Sequence, residues 1–412
     1  MERTWKSVFI ISFSDFSLGR ALYLAKALSL LRLNVNMITN KPIYAPSESE
    51  TISEPELKII KIRLPFATIL YDSILGRLIV YSIFALISLL YLLKSKVNPG
   101  ILYSRGPHPF TDVSCLIYKL LKHDVKVVSD ITDLWPDVLK YLNINAIFKY
   151  VIMTVGYIIN NVLYTKVDII ITLNEEMAKV LKSRIGKDVC IIYGSIDLNK
   201  FRPMSRKEAL KKLPNNFSKL IKGKFVILYA GIMGPFQDPL VIVDIAEKVK
   251  IYPDIIFLIF GSGPFKQKLQ ETARVKSLDN IFIFDPVPHN LMPFIYNLAD
   301  LVLLLPPMLS TPGVYEYFIL ALPKKFIEYS ACGKPILCLT PPCVASKLCL
   351  DWKAGYHIPP EDFPNVENII RIIKENKKLK MYLGKNSRKM AEELFSIQQA
   401  TKVLRKIIHE NH

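Results

Sequence analysis

The apolar positions of the chain fall into short continuous runs, separated by longer stretches with helical spacing. Near the N-terminus, residues 8–11 predict a buried strand, residues 20–32 a helix and residues 35–39 a second strand. Further runs of strand length stand at residues 225–230, 255–260, 281–284 and 301–305. This alternation predicts an α/β protein with doubly wound sheets, in which ligands bind beyond the carboxyl ends of the strands.

Length and charge narrow this picture. The chain has 412 residues, more than the roughly 250 to 300 at which single cores stop growing, so two domains are expected. The formal net charge of +18 indicates an acidic partner: nucleic acid, anionic lipid or a phosphorylated small molecule. No nucleic acid is expected, because the sequence has neither zinc-finger spacing nor an RNA-binding signature. A hydrophobic content of 51% fits contact with a bilayer surface.

Cysteine spacing and the N-terminus add two further expectations. The six cysteines form no C-x-x-C pair and no Cys/His zinc pattern, which favours small buried fillers in a reducing compartment over a metal site. The apolar run at residues 8–13 breaks at Ser14 and Asp15 without a small-residue cleavage site. No signal peptide is therefore predicted.

Residues 322–337 concentrate the candidate chemistry. They lie between two apolar runs of strand length, and Pro323 can open a helix that Gly333 and Pro335 close. Glu328 then lies within about two turns of the helix start, where backbone amides and the positive dipole end attract anions. Its carboxylate can bind two ribose hydroxyls while the amides face a diphosphate. The alternative is an amphipathic helix with Glu328 on its solvated side.

The same stretch resembles the signature P-S-K-x-x-E-Y-x-A-x-G-x-P of family 4 glycosyltransferases, in the branch that builds cell-surface and lipid-linked glycans. The matching residues are Pro323, Lys325, Glu328, Tyr329, Ala331, Gly333 and Pro335. The resemblance implies a GT-B fold, with two facing Rossmann-like domains and an interdomain cleft. It also implies retaining transfer of a sugar from a nucleotide-diphosphate donor to a glycan or polyprenyl-linked acceptor. The resemblance further implies that no metal or other cofactor is needed, and the chain contains no D-x-D pair that could hold a metal.

The resemblance also divides the chain. Residues 1–200 are expected to form an acceptor-binding domain and residues 201–385 a nucleotide-sugar-binding domain. Residues 386–412 are expected to form a helix that crosses back to the N-terminal domain.

On the donor side, the resemblance assigns the nucleotide ribose to Glu328. Relatives place basic residues in and after the first glycine turn of this domain, whereas this chain has Gln237 and Asp238 there. We therefore expect Lys325, with Lys324 as a substitute, to neutralise the diphosphate. The alternative is that both lysines are exposed residues of a first helical turn.

Many relatives carry a second glutamate, bound to the donor sugar, at the position where this chain has Leu320. The loop at residues 306–321 contains candidate replacements, which are Thr311, Gly313, Tyr315 and Glu316. The other donor-binding candidates are Gly231, Gly234, Gly261, Val287, Pro288 and Tyr329.

Acceptor-side candidates follow the predicted strands of the N-terminal half. They are Ser17, Gly19 and Arg20 after the first strand, Arg105 and His108 after the strand at residues 101–104, and Asp130 and Asp133 in a segment resembling the family's D-L-W-P. The catalytic candidates are Asp130, His108 and Lys325, with Asp130 nearer the chemistry than Asp133. The alternatives are a capping loop histidine and an aspartate that caps a helix.

Residues 78–93 are uncharged and mostly apolar, with Arg77 and Lys94 at their ends. They fit a core helix, a helix lying in the membrane interface, or a short membrane span. We favour the interfacial helix, with residues 147–155 extending the membrane-facing surface. The enzyme is then expected at an anionic membrane surface, on the cytoplasmic face of the membrane. The basic run at residues 202–224 is either a solvated face or a second attraction to anionic lipid.

Two other functions fit the sequence less well. One is a non-hydrolysing UDP-sugar 2-epimerase, which leaves the D-L-W-P segment and residues 78–93 unexplained. The other is an inactive membrane-associated scaffold, which the replacement by Leu320 and the acidic turn at Asp238 favour.

Overall fold

The computed structural model describes residues 7–13, 19–40, 57–64, 66–70, 73–106, 109–141, 145–308 and 314–410. The chain divides into unit 1, formed by Met1–Ser195 with Ile397–His412, and unit 2, formed by Ile196–Ser396. The first boundary falls five residues before the expected one at 200. Residues 386–396 belong to unit 2, so the segment that returns to unit 1 begins at Ile397 and not at residue 386.

The sheet of unit 1 is parallel, with the strand order β3-β2-β1-β4-β5-β6-β7. Its central strands are continuous buried runs, as expected for strands covered on both faces. The strands are β1 Ser7–Ser12, β2 Asn34–Asn40, β3 Leu57–Ile62, β4 Ile101–Gly106, β5 Lys126–Ile131, β6 Ile169–Thr172 and β7 Val189–Ile191.

Helices form the crossover connections that parallel strands require. They are α1 Gly19–Ser29, α2 Ala67–Leu70, α3 Ile74–Lys94, α4 Phe110–Lys122, α5 Ala146–Lys166 and α6 Glu175–Ile185, with a 3-10 turn at Asp137–Tyr141. The apolar run at residues 78–93 lies within α3, which packs on α4 through its buried side.

Unit 2 contains a second parallel sheet, in the order β10-β9-β8-β11-β12-β13. The strands are β8 Phe225–Ala230, β9 Ile255–Phe260, β10 Ile281–Phe284, β11 Leu301–Leu304, β12 Ile336–Cys338 and β13 Gly355–His357. The doubly wound α/β class predicted from the sequence is therefore confirmed in both units.

The helices of unit 2 cover both faces of its sheet. They are α7 Arg206–Leu210, α8 Asn216–Leu220, α9 Leu240–Lys248, α10 Lys266–Val275, α11 Met292–Leu298, α12 Val314–Leu320, α13 Lys324–Ala331, α14 Val344–Asp351, α15 Val366–Glu375 and α16 Lys377–Leu394. Short 3-10 helices stand at Val249–Ile251 and Pro360–Asn365. The helix predicted to start after Pro323 is α13, whose N-cap is Pro323 and which a left-handed Gly333 follows.

The last helix, α17 Ile397–Glu410, completes the core of unit 1. Its buried face includes Leu404 and Ile407, which belong to the same hydrophobic cluster as Leu24 and Leu28 of α1. The C-terminal segment is therefore part of the folded core of unit 1.

Candidate functional site

Two glycine turns meet at the carboxyl edge of the unit 2 sheet. Gly231 follows β8 and Gly261 follows the neighbouring strand β9, with φ angles of 154° and 148°. A Cβ atom on Gly261 would lie 1.9 Å from the carbonyl oxygen of Gly231, so a side chain does not fit there. The turns thus need glycine for both conformation and space, although the amides of Gly231 and Gly261 already donate to the carbonyls of Phe260 and Phe284.

Lys325 lies against this glycine turn. A Cβ atom on Gly231 would lie 2.0 Å from the Lys325 Nζ. The ammonium lies 4.2 Å from the centre of the Tyr229 ring and donates a hydrogen bond to Gln237 Oε1. Burial lowers the pKa of Lys325 to about 7, because the neighbouring Glu328 only partly offsets the loss of hydration. Gln237 is therefore a direct hydrogen-bond partner of Lys325.

Glu328 lies one helical turn further along α13 and is only 4% exposed. Its Oε1 atom is 2.8 Å from His289 Nε2, and its Oε2 atom accepts a hydrogen bond of 2.6 Å from the Tyr296 hydroxyl. Burial alone raises the pKa of Glu328, but the His289 hydrogen bond, the Lys324 charge and the Tyr296 hydrogen bond together lower it. The site thus holds an ionised, buried carboxylate, and the alternative of a solvated Glu328 is wrong.

His289 and Tyr296 were missed by the sequence reasoning. His289 directly follows Val287 and Pro288 in the loop before α11, and Tyr296 lies within α11. Phe201 packs beside both rings, with centroid distances of 5.4 Å to His289 and 6.4 Å to Tyr296. The signal available in the sequence was a titratable histidine directly after the donor-binding candidates Val287 and Pro288, whereas nothing in the sequence distinguishes Tyr296 from a core tyrosine.

Two donor-side predictions need correction. Tyr329 is fully buried, and its hydroxyl accepts a hydrogen bond of 3.1 Å from the Ala230 amide, so it supports the glycine turn from beneath instead of facing a ligand. Lys324 is half exposed, with its Nζ 3.6 Å from Glu328 Oε1. It therefore accompanies the carboxylate and does not substitute for Lys325 at the glycine turn.

The remaining donor-side candidates have varied environments. Gly234 closes the β8 turn through reciprocal backbone hydrogen bonds with Gln237, of 2.9 and 3.2 Å. Val287 is half-buried and Pro288 is exposed. Glu316 belongs to α12, but its side chain lies outside the described part of the structure, as do Thr311 and Gly313.

At the carboxyl edge of the unit 1 sheet, Asp130 forms a buried ion pair with Arg20. The guanidinium donates from Nε to Oδ2 at 2.8 Å and from Nη2 to Oδ1 at 2.9 Å, and its Nη1 donates to the carbonyl of Tyr193. The Asp130 side chain has no exposed surface. Asp130 is therefore not available to deprotonate an acceptor, and its prediction as a catalytic residue is wrong in this arrangement.

Arg105 lies beside this pair. Its Nη1 donates to Ser12 Oγ at 3.3 Å, and its Nε lies 3.9 Å from Asp130 Oδ2. Asp133 accepts a hydrogen bond of 3.2 Å from Thr132. Gly19 is the first residue of α1, while Ser17 and His108 lie outside the described residues.

Two parallel-sheet Rossmann-like units, one of them carrying paired glycine turns beside a buried lysine, are the architecture of the GT-B fold. Residues 212–390 match the family model described as "Glycosyl transferases group 1". The chain thus carries a group 1 glycosyltransferase domain, and the predicted enzyme class is confirmed. No curated protein sequence matches the chain.

Solved structures of GT-B enzymes are similar over nearly the whole chain. Sucrose-phosphate synthase from Thermosynechococcus elongatus superposes with a TM-score of 0.69 at 17% identity, covering 98% of both chains. HepE of Anabaena in complex with UDP and glucose has a TM-score of 0.69 at 13% identity, covering 98% of this chain and 100% of its own. WaaG, a glycosyltransferase involved in lipopolysaccharide biosynthesis, has a TM-score of 0.64 at 12% identity, covering 98% and 99%. These likenesses confirm the GT-B fold.

Proposed function

We propose that the protein transfers a sugar, with retention of configuration and without a metal, from a nucleotide-diphosphate donor to a glycan or polyprenyl-linked acceptor at a membrane surface. The observation that carries the donor part is the arrangement on α13. One turn of this helix presents the Lys325 ammonium at the glycine turn, and the next presents the ionised carboxylate of Glu328. This pair matches a diphosphate joined to a ribose.

In this proposal Lys325 stabilises the charge of the departing diphosphate, the role that fixed cations have in sites of developing negative charge, and the glycine turns let the diphosphate approach the backbone. Glu328 accepts hydrogen bonds from the ribose hydroxyls, as its signature position implies. A donor of this chemistry is supported by the HepE structures, one of which is in complex with UDP-glucose. The departing phosphate then takes the acceptor proton, which removes the need for Asp130 as a base.

The membrane part of the proposal is supported by the exposed faces of α3 and α5. Leu75–Lys94 and Ala146–Lys166 are each long and apolar enough to cross a membrane. In their apolar 18-residue stretches, 44% and 11% of the residues are buried. In α5 the exposed side chains include Ile147, Tyr150, Val151, Ile158 and Val162. An apolar surface of this extent is costly in water and typical of an interaction surface.

An interfacial position suits these helices better than a span. Phe84 and Leu92 of α3 are buried in unit 1, and a spanning α3 would have to leave that packing. Tyr81 contacts Phe13 edge to face at 5.0 Å and adds to this packing. Cations stand at the helix ends, as attraction to anionic headgroups requires, and they include Arg77, Lys94 and Lys166.

The donor part is tested with purified protein, membranes and a panel of labelled nucleotide sugars, with and without EDTA. We expect transfer from one donor, unaffected by EDTA, and its loss in Glu328→Ala, which circular dichroism should show to be folded although Tyr296 and His289 lose their partner. Near-normal turnover by Glu328→Ala would remove this residue from the site. Conversion of the nucleotide sugar without an acceptor would instead identify an epimerase.

The membrane part is tested by flotation with vesicles containing phosphatidylglycerol. Ile158→Glu and Val162→Glu place charge on the exposed face of α5, and we expect them to abolish flotation. Val275→Glu is the control, because Val275 is an apolar residue on α10 of unit 2 that is even more exposed than Ile158 and Val162. Equal flotation of all three variants would refute α5 as the docking helix.

A further inference from the structure

Three polar residues stand side by side at the carboxyl edge of the unit 1 sheet. In the strand register Ser12 of β1 pairs with Arg105 of β4, and Arg105 pairs with Asp130 of β5. The strand order passes from β2 and β1 to β4 and β5, so the direction of winding changes between β1 and β4. Open α/β sheets bind ligands at this switch point, beyond the carboxyl ends of the strands.

The charges of this group are unequally compensated. Both oxygens of Asp130 accept hydrogen bonds from Arg20, whereas the Nε of Arg105 is inaccessible to solvent and has no hydrogen-bond acceptor. Burial and the nearby Arg20 charge lower the pKa of Arg105, even though Asp130 and Asp133 act in the opposite direction. The pKa of Arg20 is raised, because Asp130 outweighs its burial. Among the described side chains, Arg20 and Arg105 thus share the Asp130 carboxylate, whose hydrogen bonds all come from Arg20, and the buried Arg105 cation is only partly compensated.

A buried cation lowers the stability of the fold unless a nearby anion compensates its charge. The Arg105 side chain is 19% exposed, so part of the guanidinium is reachable from solvent. Ser12 binds one of its terminal nitrogens and thereby restricts its orientation. A planar guanidinium held in this way suits the oxygens of a phosphate, which can accept two parallel N–H donors.

We propose that Arg105 binds a phosphate group carried by the acceptor substrate. Ser12 and the Arg20–Asp130 pair are positioning residues that orient its guanidinium. The acceptor assignment rests on the proposed function, whereas the phosphate site itself does not. Two sources share this chemistry, namely a soluble sugar phosphate and a polyprenyl phosphate.

A second arginine of unit 1 shows what a purely structural pair looks like. Arg184 donates to both oxygens of Asp137, at 2.5 and 3.2 Å, and the same carboxylate accepts hydrogen bonds from Lys140 and Tyr157. Removing Arg184 leaves a partly buried carboxylate with fewer partners, so this substitution should lower stability. Removing Arg105 leaves no orphaned carboxylate, because Asp130 keeps Arg20. We expect Arg105→Met to unfold at the same temperature as its parent or higher.

The experiment measures inorganic phosphate binding by calorimetry in a Lys325→Met background, which removes the phosphate-binding cation of unit 2. We expect Arg105→Met to weaken phosphate binding at least tenfold and Arg105→Lys to weaken it less. Arg184→Met should bind phosphate normally despite its lower unfolding temperature. Unchanged phosphate affinity in both Arg105 variants would overturn the proposal.

The source is then identified by competition. Glucose 6-phosphate and a polyprenyl monophosphate in detergent micelles are each tested for displacing phosphate, with Arg105→Met as the control. Displacement that requires Arg105 by either compound supports the acceptor assignment and names its source, and displacement by neither overturns it. UDP binding to the protein with Lys325 intact is measured separately, so that failure of the donor proposal remains distinguishable from failure of this one.

Discussion

The unusual state of Lys325 predicts how donor binding depends on pH. Its pKa is about 7 because its ammonium is buried against Gly231 and the Tyr229 ring, with Gln237 as a neutral hydrogen-bond partner. A bound diphosphate supplies negative charge and favours the protonated lysine. Donor binding should therefore take up a proton whenever the solution is above pH 7.

The magnitude follows from linkage. Restoring the pKa of Lys325 from about 7 towards its ordinary value of 10.5 is equivalent to about 5 kcal/mol at most, at 1.36 kcal/mol for each pH unit. The affinity for the donor diphosphate is highest below pH 7, where Lys325 is protonated. Above pH 7 this affinity falls by about tenfold for each pH unit. The terminal phosphate, with a second pKa near 6, keeps a constant charge over this range.

The assay is UDP titration by calorimetry between pH 7.5 and 9 in buffers of different ionisation enthalpy, which also counts the protons taken up. Lys325→Met should bind UDP more weakly at pH 7.5 and show no pH slope. Lys334→Met is the matched control, since Lys334 is also buried with a pKa of about 8 but donates to the carbonyls of Asn297 and Ala299. A flat profile in the unmodified protein, or an unchanged slope in Lys325→Met, would refute the reasoning.

Two further predictions concern the carboxylates of Glu328 and Asp112. Tyr296→Phe removes a hydrogen bond to the charged Glu328, which is equivalent to roughly 1.5–3 kcal/mol, and should reduce the preference for UDP over 2′-deoxy-UDP by about tenfold. Tyr252→Phe removes a tyrosine–carboxylate hydrogen bond elsewhere in unit 2 and should leave that preference unchanged. Equal ratios of UDP to 2′-deoxy-UDP affinity in the two variants would contradict the role of Tyr296. Burial raises the pKa of Asp112 from 3.8 to about 6, so its ionisation destabilises the fold as the pH rises from about 4 to 6. Asp112→Asn should therefore raise the free energy of unfolding by up to about 3 kcal/mol at pH 8 and by little at pH 4, as urea denaturation can measure; a pH-independent difference would contradict this cause.

The sequence carried the local information in this protein. Continuous apolar runs at residues 225–230 and 255–260 predicted strands, because a strand buried on both faces admits few polar side chains. The spacing of Lys325 and Glu328 placed both on one helix, since that distance depends on helical geometry alone. The expectation that Lys325 lies at the glycine turn came from the resemblance, because relatives have basic residues where this chain has Gln237 and Asp238.

Tertiary structure decided which groups meet across long separations in the chain. Asp130 looked like a base in the sequence because its partner Arg20 lies 110 residues away, on the helix after another strand. His289 and Tyr296 became partners of Glu328 only when the loop before α11 and the helix α11 packed on α13. Solvent exposure has the same origin, because the faces of α3 and α5 are buried or left open by their neighbours. Pairing and burial are properties of the packed chain, and one-dimensional spacing does not contain them.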